Sequence, residues 1–340
     1  MSRLRTAAKT LGGAALCLNP VTSLFVVGSV ESIMRRRTMS RWWEAHAPGE
    51  TLALDGFLQE RAHPGGVRAA FGRGLRAALN TWLLTVPSCL LWLFAWYDGW
   101  NNSFHKGYEQ AYVAPLIGLL GAALFAAAML YVPMAQARQA ATGDWRDFYR
   151  FAVVWSVART KWLSCLALAA LYAGLSLPLT ALRVLPNFLP FGDRIADDAA
   201  SSFLLRYSYG ACLFVLGAYV VLRLSAARIY ADGLLELVRG GEVTEGELAH
   251  AEREALARLG LLRTETAAPR HAILRALGWA GTRTGRLVSI GGAVALWAFF
   301  VFQIFASQFL NFRPRVGWLN QPFVQLPWFH LHPAAPVSVR

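Results

Sequence analysis

Few residues of this chain have the spacing that is typical of catalytic or metal-binding residues. A membrane enzyme that acts on lipid headgroups would need a cluster of acids or histidines at the interface, and the only such cluster is Asp193, Asp197 and Asp198. His330 and His332 could turn two imidazoles to one side of an extended chain, but no Cys or carboxylate stands near them to complete a metal site. Phosphate-binding, nucleophile-elbow, zinc-protease and dinucleotide motifs do not occur. We therefore predict no catalytic residue, no metal site, no cofactor and no enzymatic activity.

The composition indicates a membrane protein. Of the 340 residues, 56% are hydrophobic and only 16% are charged, whereas soluble domains carry about 25% charged residues. Apolar runs close to the ~20 residues that a membrane-spanning helix needs fall at 77–98, 112–134, 162–182, 207–226 and 287–310. We predict an all-α, polytopic helical membrane protein with five transmembrane helices.

The positive charge of the chain is explained by topology. The formal net charge is +13, and alternate loops between the predicted spans hold 23 basic residues against seven in the other loops. Because basic loops stay on the cytoplasmic side, we expect the C-terminus to lie outside the cytoplasm. The expected location of the protein is the inner (plasma) membrane of a prokaryote. No nucleic-acid recognition motif accompanies the charge, so we expect no nucleic-acid partner.

The N-terminal apolar run, residues 11–30, is ambiguous. It is long enough to cross a membrane, but Asn19 and Pro20 stand in its middle, and proline removes a helical hydrogen bond and clashes with the preceding turn. The run is either an interfacial or re-entrant helix or a sixth span.

Two predicted spans end with the same polar signature, Ala-Arg-x-x-Ala-x-Gly, at 137–143 and 227–233. An arginine at this position can extend its charge to lipid phosphates while its stem stays in the apolar layer, and the glycine suits a helix C-cap. The residues predicted to contact lipid headgroups are Arg138, Arg228, Arg35, Arg36 and Arg37.

The signature also suggests an internal duplication of a two-span unit. Arg-Thr-x-x-Leu precedes the following spans at 159–163 and 283–287; the alternative is that arginine and small residues are simply frequent at such exits. The predicted order is a basic cytoplasmic or interfacial region (1–76), a first two-span unit (77–143), a second unit with an interfacial lead-in helix (144–233), a cytoplasmic loop with an amphipathic helix (234–286), the last span (287–310) and an outer tail (311–340).

The stretch "YVPMAQARQAATGDWRDFYRFAVVWSVARTKW" resembles uncharacterised prokaryotic multi-span membrane domains of unknown function that share this exit turn, glycine and Phe-rich lead-in. The resemblance implies a polytopic fold and a membrane location. It implies no activity and no catalytic residues.

Small residues recur at helical spacing within two spans. They are Gly118, Ala122 and Ala126 in the second span, and Ala170 and Gly174 in the third. Such faces let membrane helices approach closely. We expect packing between spans two and three, with a dimer interface as the alternative.

The C-terminal tail combines prolines with large aromatic residues, so it has little regular structure available to it. We predict an extended segment that packs along an outer surface or a partner. Its predicted anchors are Trp318, Phe323, Trp328 and Phe329.

The central parts of the five predicted spans lack ionisable residues, although transporters and pumps usually place such groups there. The sequence therefore favours a non-enzymatic structural, assembly or accessory subunit of an inner-membrane complex. The alternative is a permease or lipid-handling subunit energised by a partner; Pro87 and Pro178, which either kink their spans or open them onto a cavity, support it. Expected partners are anionic headgroups at the cytoplasmic face and either another protein or a second copy of this chain.

Overall fold

The computed structural model describes residues 2–47, 52–63, 65–99, 113–185, 197–262, 272–309 and 318–329, and this part of the chain is helical, without a strand. Its α-helices are α1 (Ser2–Leu16), α2 (Pro20–His46), α3 (Leu52–Glu60), α4 (Val67–Trp96), α5 (Val113–Thr142), α6 (Phe151–Thr160), α7 (Trp162–Val184), α8 (Asp197–Arg239), α9 (His250–Arg258) and α10 (Ala272–Phe309). Among them α4, α5, α7, α8 and α10 are long and apolar enough to cross a membrane. The all-α polytopic prediction is confirmed.

The N-terminal apolar run is divided between two helices. Asn19 caps the start of α2, where its Oδ1 accepts a hydrogen bond from the amide of Val21 at 2.8 Å. Pro20 occupies the first helical position, where its missing N–H costs nothing. In the described chain neither α1 nor α2 is among the helices suited to span a membrane. Helix α1 packs on α8, and the Tyr209 hydroxyl donates to the carbonyl of Leu11 at 3.1 Å.

Helices α2 and α4 cross at a pair of glycines. A Cβ added at Gly28 would lie 1.8 Å from the carbonyl oxygen of Ala70, and one added at Gly74 would lie 1.9 Å from that of Leu24. The two backbones therefore touch, which only glycine permits. Residues 67–76, the end of the predicted basic N-terminal region, form the first turns of α4.

Helix α5 stands at the centre of the bundle. It contacts α2, α4, α8 and α10, and every residue from 131 to 142 is buried. Helix α7 lies at the periphery, packed mainly along α10. The described spans are therefore arranged around the second half of α5.

The two exit signatures have different local structures. Gly143 ends α5 with a φ of +79°, and its amide donates to the carbonyl of Gln139 at 2.8 Å. Gly233 lies inside α8, which continues to Arg239, and an added Cβ there would meet Val157 at 2.8 Å. Only the first glycine is a C-cap, and the internal duplication stays a prediction.

The small-residue pattern packs differently from our expectation. Its second-span members, Gly118, Ala122 and Ala126, are buried or partly buried. A Cβ at Gly118 would lie 3.6 Å from Ala95 in α4 and 3.7 Å from Phe305 in α10. Ala170 and Gly174 of α7 are exposed, and nothing lies within 4 Å of a Cβ added at Gly174. The expected packing between spans two and three through these residues is wrong.

The glycine crossing can be tested by substitution. We expect Gly28→Ala to lower the free energy of unfolding by about 1–3 kcal/mol, because its methyl group must push two backbones apart. Gly217→Ala is the matched control, since this exposed glycine of α8 has nothing within 4 Å of an added Cβ. The control should be stabilised by about 0.5–1 kcal/mol through helix propensity. Denaturant titration in detergent measures both, and equal effects at the two positions would contradict the close crossing.

Candidate functional site in the bundle core

The C-terminal segment, residues 318–329, lies inside the helix bundle. Trp318 and Phe323 are 0% exposed and Phe329 is 4% exposed, while Trp328 is partly buried. The prediction that these four aromatics anchor the tail to an outer surface or a partner is wrong. The bundle itself supplies the apolar surface that their side chains need.

Aromatic contacts hold the first half of this segment. The ring centroid of Trp318 lies 4.9 Å from that of Phe305 and 6.5 Å from that of Trp92. Phe323 lies 6.2 Å from Phe214, in an edge-on arrangement. Helices α4, α8 and α10 thus each place an aromatic ring against the segment, and such ring pairs stabilise beyond simple area burial.

Polar side chains from the helices bond the middle of the segment. The Val324 carbonyl accepts from the Arg223 guanidinium at 2.6 Å and from Gln136 Nε2 at 3.3 Å. Gln325 Nε2 donates to Thr85 Oγ1 at 2.7 Å. Non-helical backbone at membrane depth is tolerated only where the protein satisfies its polar groups. These side chains therefore let an irregular segment lie among the spans.

Both ends of the segment are also hydrogen-bonded. One end is bonded to α4, and the other is bonded to α8 and to the turn between α1 and α2. Trp82 Nε1 donates to the carbonyl of Leu319 at 3.1 Å. At the other end, the amide of Phe329 donates to the carbonyl of Cys17 at 3.2 Å, and its own carbonyl accepts from Cys212 Sγ at 3.2 Å. The segment is thus fixed along its whole described length, from α4 to the α1–α2 turn and α8.

A chain of buried amides continues from this core. Gln139 Nε2 donates to Glu31 Oε1 at 3.0 Å, and its Oε1 accepts from Asn80 Nδ2 at 2.8 Å. Asn80 Oδ1 accepts from the Tyr149 hydroxyl at 3.1 Å. These residues join α2, α4 and α5 to the short 3-10 helix Trp145–Tyr149. The role is that of interhelical hydrogen bonds within a membrane bundle.

A small cavity lies between this chain and the C-terminal segment. Its polar lining is Glu31, Thr81, Gln136, Arg223 and Gln325, and its volume of about 10 Å³ has room for about one water molecule. Arg223 Nε and Nη1 and Gln136 Oε1 have no hydrogen-bond partner in the described chain. A water at this place could bond the guanidinium and the amide oxygen together.

Arg138 forms a buried ion pair instead of contacting lipid headgroups. Its guanidinium lies 3.2 Å from Glu252 Oε2 of α9, and both side chains are 0% exposed. The other carboxylate oxygen accepts from the Tyr230 hydroxyl of α8. Burial raises the pKa of Glu252, while the positive charge of Arg138 acts to lower it. The pair ties α9 down onto α5 and α8, so the headgroup prediction for Arg138 is wrong.

The other predicted headgroup arginines are more exposed. Arg36, Arg37 and Arg228 are exposed, and their contact with lipid stays a prediction. Arg35 is partly buried; its Nη1 lies 3.2 Å from His63 Nδ1 and 3.4 Å from the carbonyl of residue 142, at the end of α5. The pKa of His63 is lowered to about 4, mainly by burial and next by the positive charge of Arg35. The neutral imidazole can therefore accept this hydrogen bond.

Several other candidate residues do not join the core. Pro87 and Pro178 are exposed on continuous helices and line neither described cavity. Asp193, His330 and His332 lie outside the described residues. Within the described chain, no group of three His, Cys, Asp or Glu side chains could hold a metal ion.

Sequence reasoning missed Glu31, Arg223 and Glu252. Arg223 carried a usable signal, because an ionisable residue inside an apolar run marks an internal contact or a functional site. Thr81, Thr85 and Ser88 carried a second signal, since this spacing puts all three on one buried face of α4.

Comparison of the chain with models of known protein families, with curated proteins and with solved structures finds no match.

The ion pair in the core gives a direct energetic prediction. Arg138→Met leaves the buried Glu252 carboxylate without its cation, and we expect it to cost about 3–5 kcal/mol of unfolding free energy. The exposed pair Arg258–Glu60 is the control, and Arg258→Gln should cost about 0–1 kcal/mol. The measurement is denaturant unfolding in detergent, including the double variant Arg138→Met/Glu252→Leu. Strictly additive effects in that double variant would show that the two groups do not interact.

Proposed function

We propose that this chain is a non-enzymatic structural, assembly or accessory subunit of a complex in a prokaryotic inner membrane. The observation that carries the proposal is the insertion of residues 318–329 into the bundle. Polar side chains of α4, α5 and α8 that could otherwise have faced a substrate bond this segment instead. These donor groups of the interior are thereby occupied by the protein's own chain.

The surface of α7 supports a role as a subunit. Leu163, Ala170, Gly174 and Leu177 are exposed on this helix, and the two small residues lie four positions apart. A small residue at such a place allows another membrane helix to approach closely. We expect this face of α7 to contact a span of a partner protein or of a second copy.

The orientation is part of the same proposal. The loops that hold α3, α6 and α9 are rich in basic residues, which supports a cytoplasmic position for them. The C-terminus then lies outside. Exposed Phe151 and Trp155 on α6, next to Arg150 and Arg159, suit a helix that lies in the inner headgroup region.

A second candidate is a permease or lipid-handling subunit energised by a partner. It is favoured by the unpartnered polar atoms of Arg223 and Gln136 at the cavity between α2, α4, α5 and α8. The cavity holds about one water molecule, so transport would require the C-terminal segment to move. This requirement makes the second candidate weaker than the first.

The subunit role can be tested at the α7 surface. We expect Gly174→Leu to shift the native assembly to a smaller size on blue-native electrophoresis in mild detergent, because the new side chain blocks close helix approach. Gly210→Leu is the matched control, since Gly210 is an exposed glycine of α8 with the same open surroundings, and it should leave the assembly intact.

Two outcomes would contradict the proposal. One is an unchanged assembly in the Gly174→Leu variant. The other is downhill movement of lipid or solute by the purified wild-type chain in vesicles, which needs no energising partner and would favour the second candidate.

A further inference from the structure

A carboxyl group is buried in the core of the bundle, on the wall of the same cavity as a guanidinium. Glu31 of α2 is 7% exposed, and its Oε1 accepts a hydrogen bond from Gln139 Nε2 at 3.0 Å. Glu31 and Arg223 both line the small cavity beside the C-terminal segment. A single amide does not compensate the charge of a buried carboxylate. An ionisable group at such a place marks an internal contact or a functional site.

The cavity offers hydrogen-bond partners to one water molecule. Arg223 Nε and Nη1 are buried donors and Gln136 Oε1 is a buried acceptor, and none of these three atoms has a hydrogen-bond partner among the described residues. The carboxyl group of Glu31 is a further acceptor on the wall. The volume of about 10 Å³ has room for about one water molecule, which needs two to four polar partners. A water that accepts from Arg223 and donates to Gln136 and Glu31 meets this need.

Positive charges act on Glu31 from two helices. They belong to Arg73 and Arg76 of α4 and to Arg223 of α8, and Tyr219 of α8 lies on the cavity wall beside them. The neighbouring amide side chains are Gln136 and Gln139 of α5 and Gln325 of the C-terminal segment. Burial raises the pKa of Glu31 to about 8, although the three arginines act to lower it. The carboxyl group therefore exchanges its proton near neutral pH.

We propose that this cavity binds one water molecule and that Glu31 beside it is a proton-binding site inside the bundle. The carboxylate takes up one proton from the solvent and becomes neutral. When the proton leaves, the negative charge faces Arg223 across the water, and the two groups form a water-mediated ion pair. Because Arg223 also donates to the Val324 carbonyl at 2.6 Å, one side chain links the proton site to the C-terminal segment. The proposal holds for an accessory subunit and for a permease alike.

The proton site is tested by infrared titration of the purified full chain in an uncharged detergent. The carbonyl band of protonated Glu31 is the band that Glu31→Gln removes. We expect this band to disappear as the pH rises through about 8, whereas an ordinary glutamate loses its proton at about pH 4.3. Arg76→Gln removes an exposed positive charge that lowers this pKa, so it should shift the midpoint to higher pH. Arg36→Gln removes an exposed arginine of α2 and should leave the midpoint unchanged.

Thermal unfolding gives a second readout with a defined sign. The pKa of a glutamate in the unfolded chain is about 4.3, so between this pH and about 8 the folded chain binds the proton more tightly. The stabilisation from Glu31 is therefore fully present below about pH 4.3 and is lost as the pH rises to about 8. We expect the Tm of the wild type, relative to that of Glu31→Gln, to fall across this window. Glu44→Gln, which removes an exposed carboxylate of the same helix, should keep the wild-type profile.

The water is tested by filling the cavity. A high-resolution crystal structure should show one water within hydrogen-bond distance of Arg223 and Gln136. Val30→Ile adds one methylene group to the cavity wall and should remove this water. The carboxylate then loses its hydrogen-bonded link to the guanidinium, and loss of a hydrogen bond to the charged form raises a pKa. We expect the infrared midpoint of Glu31 to move to higher pH in this variant, which still carries every charged group of the site.

Each measurement has an outcome that would overturn the proposal. The first is a Glu31 band that disappears near pH 4 or persists well above pH 8. The second is a Tm difference between the wild type and Glu31→Gln that does not change with pH. The third is a cavity without water density. None of these outcomes depends on the size of the assembly in the Gly174→Leu variant, so the proton site and the subunit role fail separately.

Discussion

An irregular backbone can lie among membrane-spanning helices only if the protein itself satisfies its N–H and C=O groups. In this chain the constraint is concentrated at the Val324 carbonyl, which accepts hydrogen bonds from Arg223 and Gln136. The C-terminal segment cannot become a helix around its prolines, so helices α4, α5 and α8 must carry polar side chains that face inward. The buried polar residues of these spans follow from that requirement.

The same segment determines how the bundle is packed. Its aromatic rings lie against α4, α8 and α10, and its far end meets the turn between α1 and α2. Elements that are far apart in sequence therefore share one core. Two residues beyond Gln136 on α5, the Arg138–Glu252 pair fastens α9 to the bundle in a comparable way. In both places one buried arginine, Arg223 or Arg138, binds a segment that is not itself part of a spanning helix.

The sequence predicted the features that depend on local composition. Apolar runs identify the five spans because each run alone must match the thickness of the membrane. Asn19 and Pro20, which made the N-terminal run ambiguous, fall at the break between α1 and α2, and the prolines of the tail predicted that no long helix forms there. These results rest on interactions between residues close together in the chain.

The features that the sequence did not reveal depend on distant partners. Trp318 has the same apolar ring whether it covers an outer surface or fills a core, and its position is decided by Trp92 and Phe305. Arg138 and Arg228 share one local signature, yet only Arg138 has a carboxylate placed against it, from a residue 114 positions away. Single-sequence patterns carry no information on such pairs, and the signature alone suggested the same role for both arginines.

The most direct test of the inserted segment uses a native cysteine. Gln325 Nε2 lies 3.8 Å from Cys89 Sγ of α4, so a Gln325→Cys variant, with Cys17, Cys165 and Cys212 replaced by serine, brings two thiols together inside the bundle. A two-carbon methanethiosulfonate crosslinker should join positions 89 and 325 within one chain, as detected by mass spectrometry of the digested protein. Absence of this crosslink, together with rapid reaction of the Gln325→Cys thiol with an impermeant maleimide in intact cells, would show that the segment lies on the surface and would contradict the account.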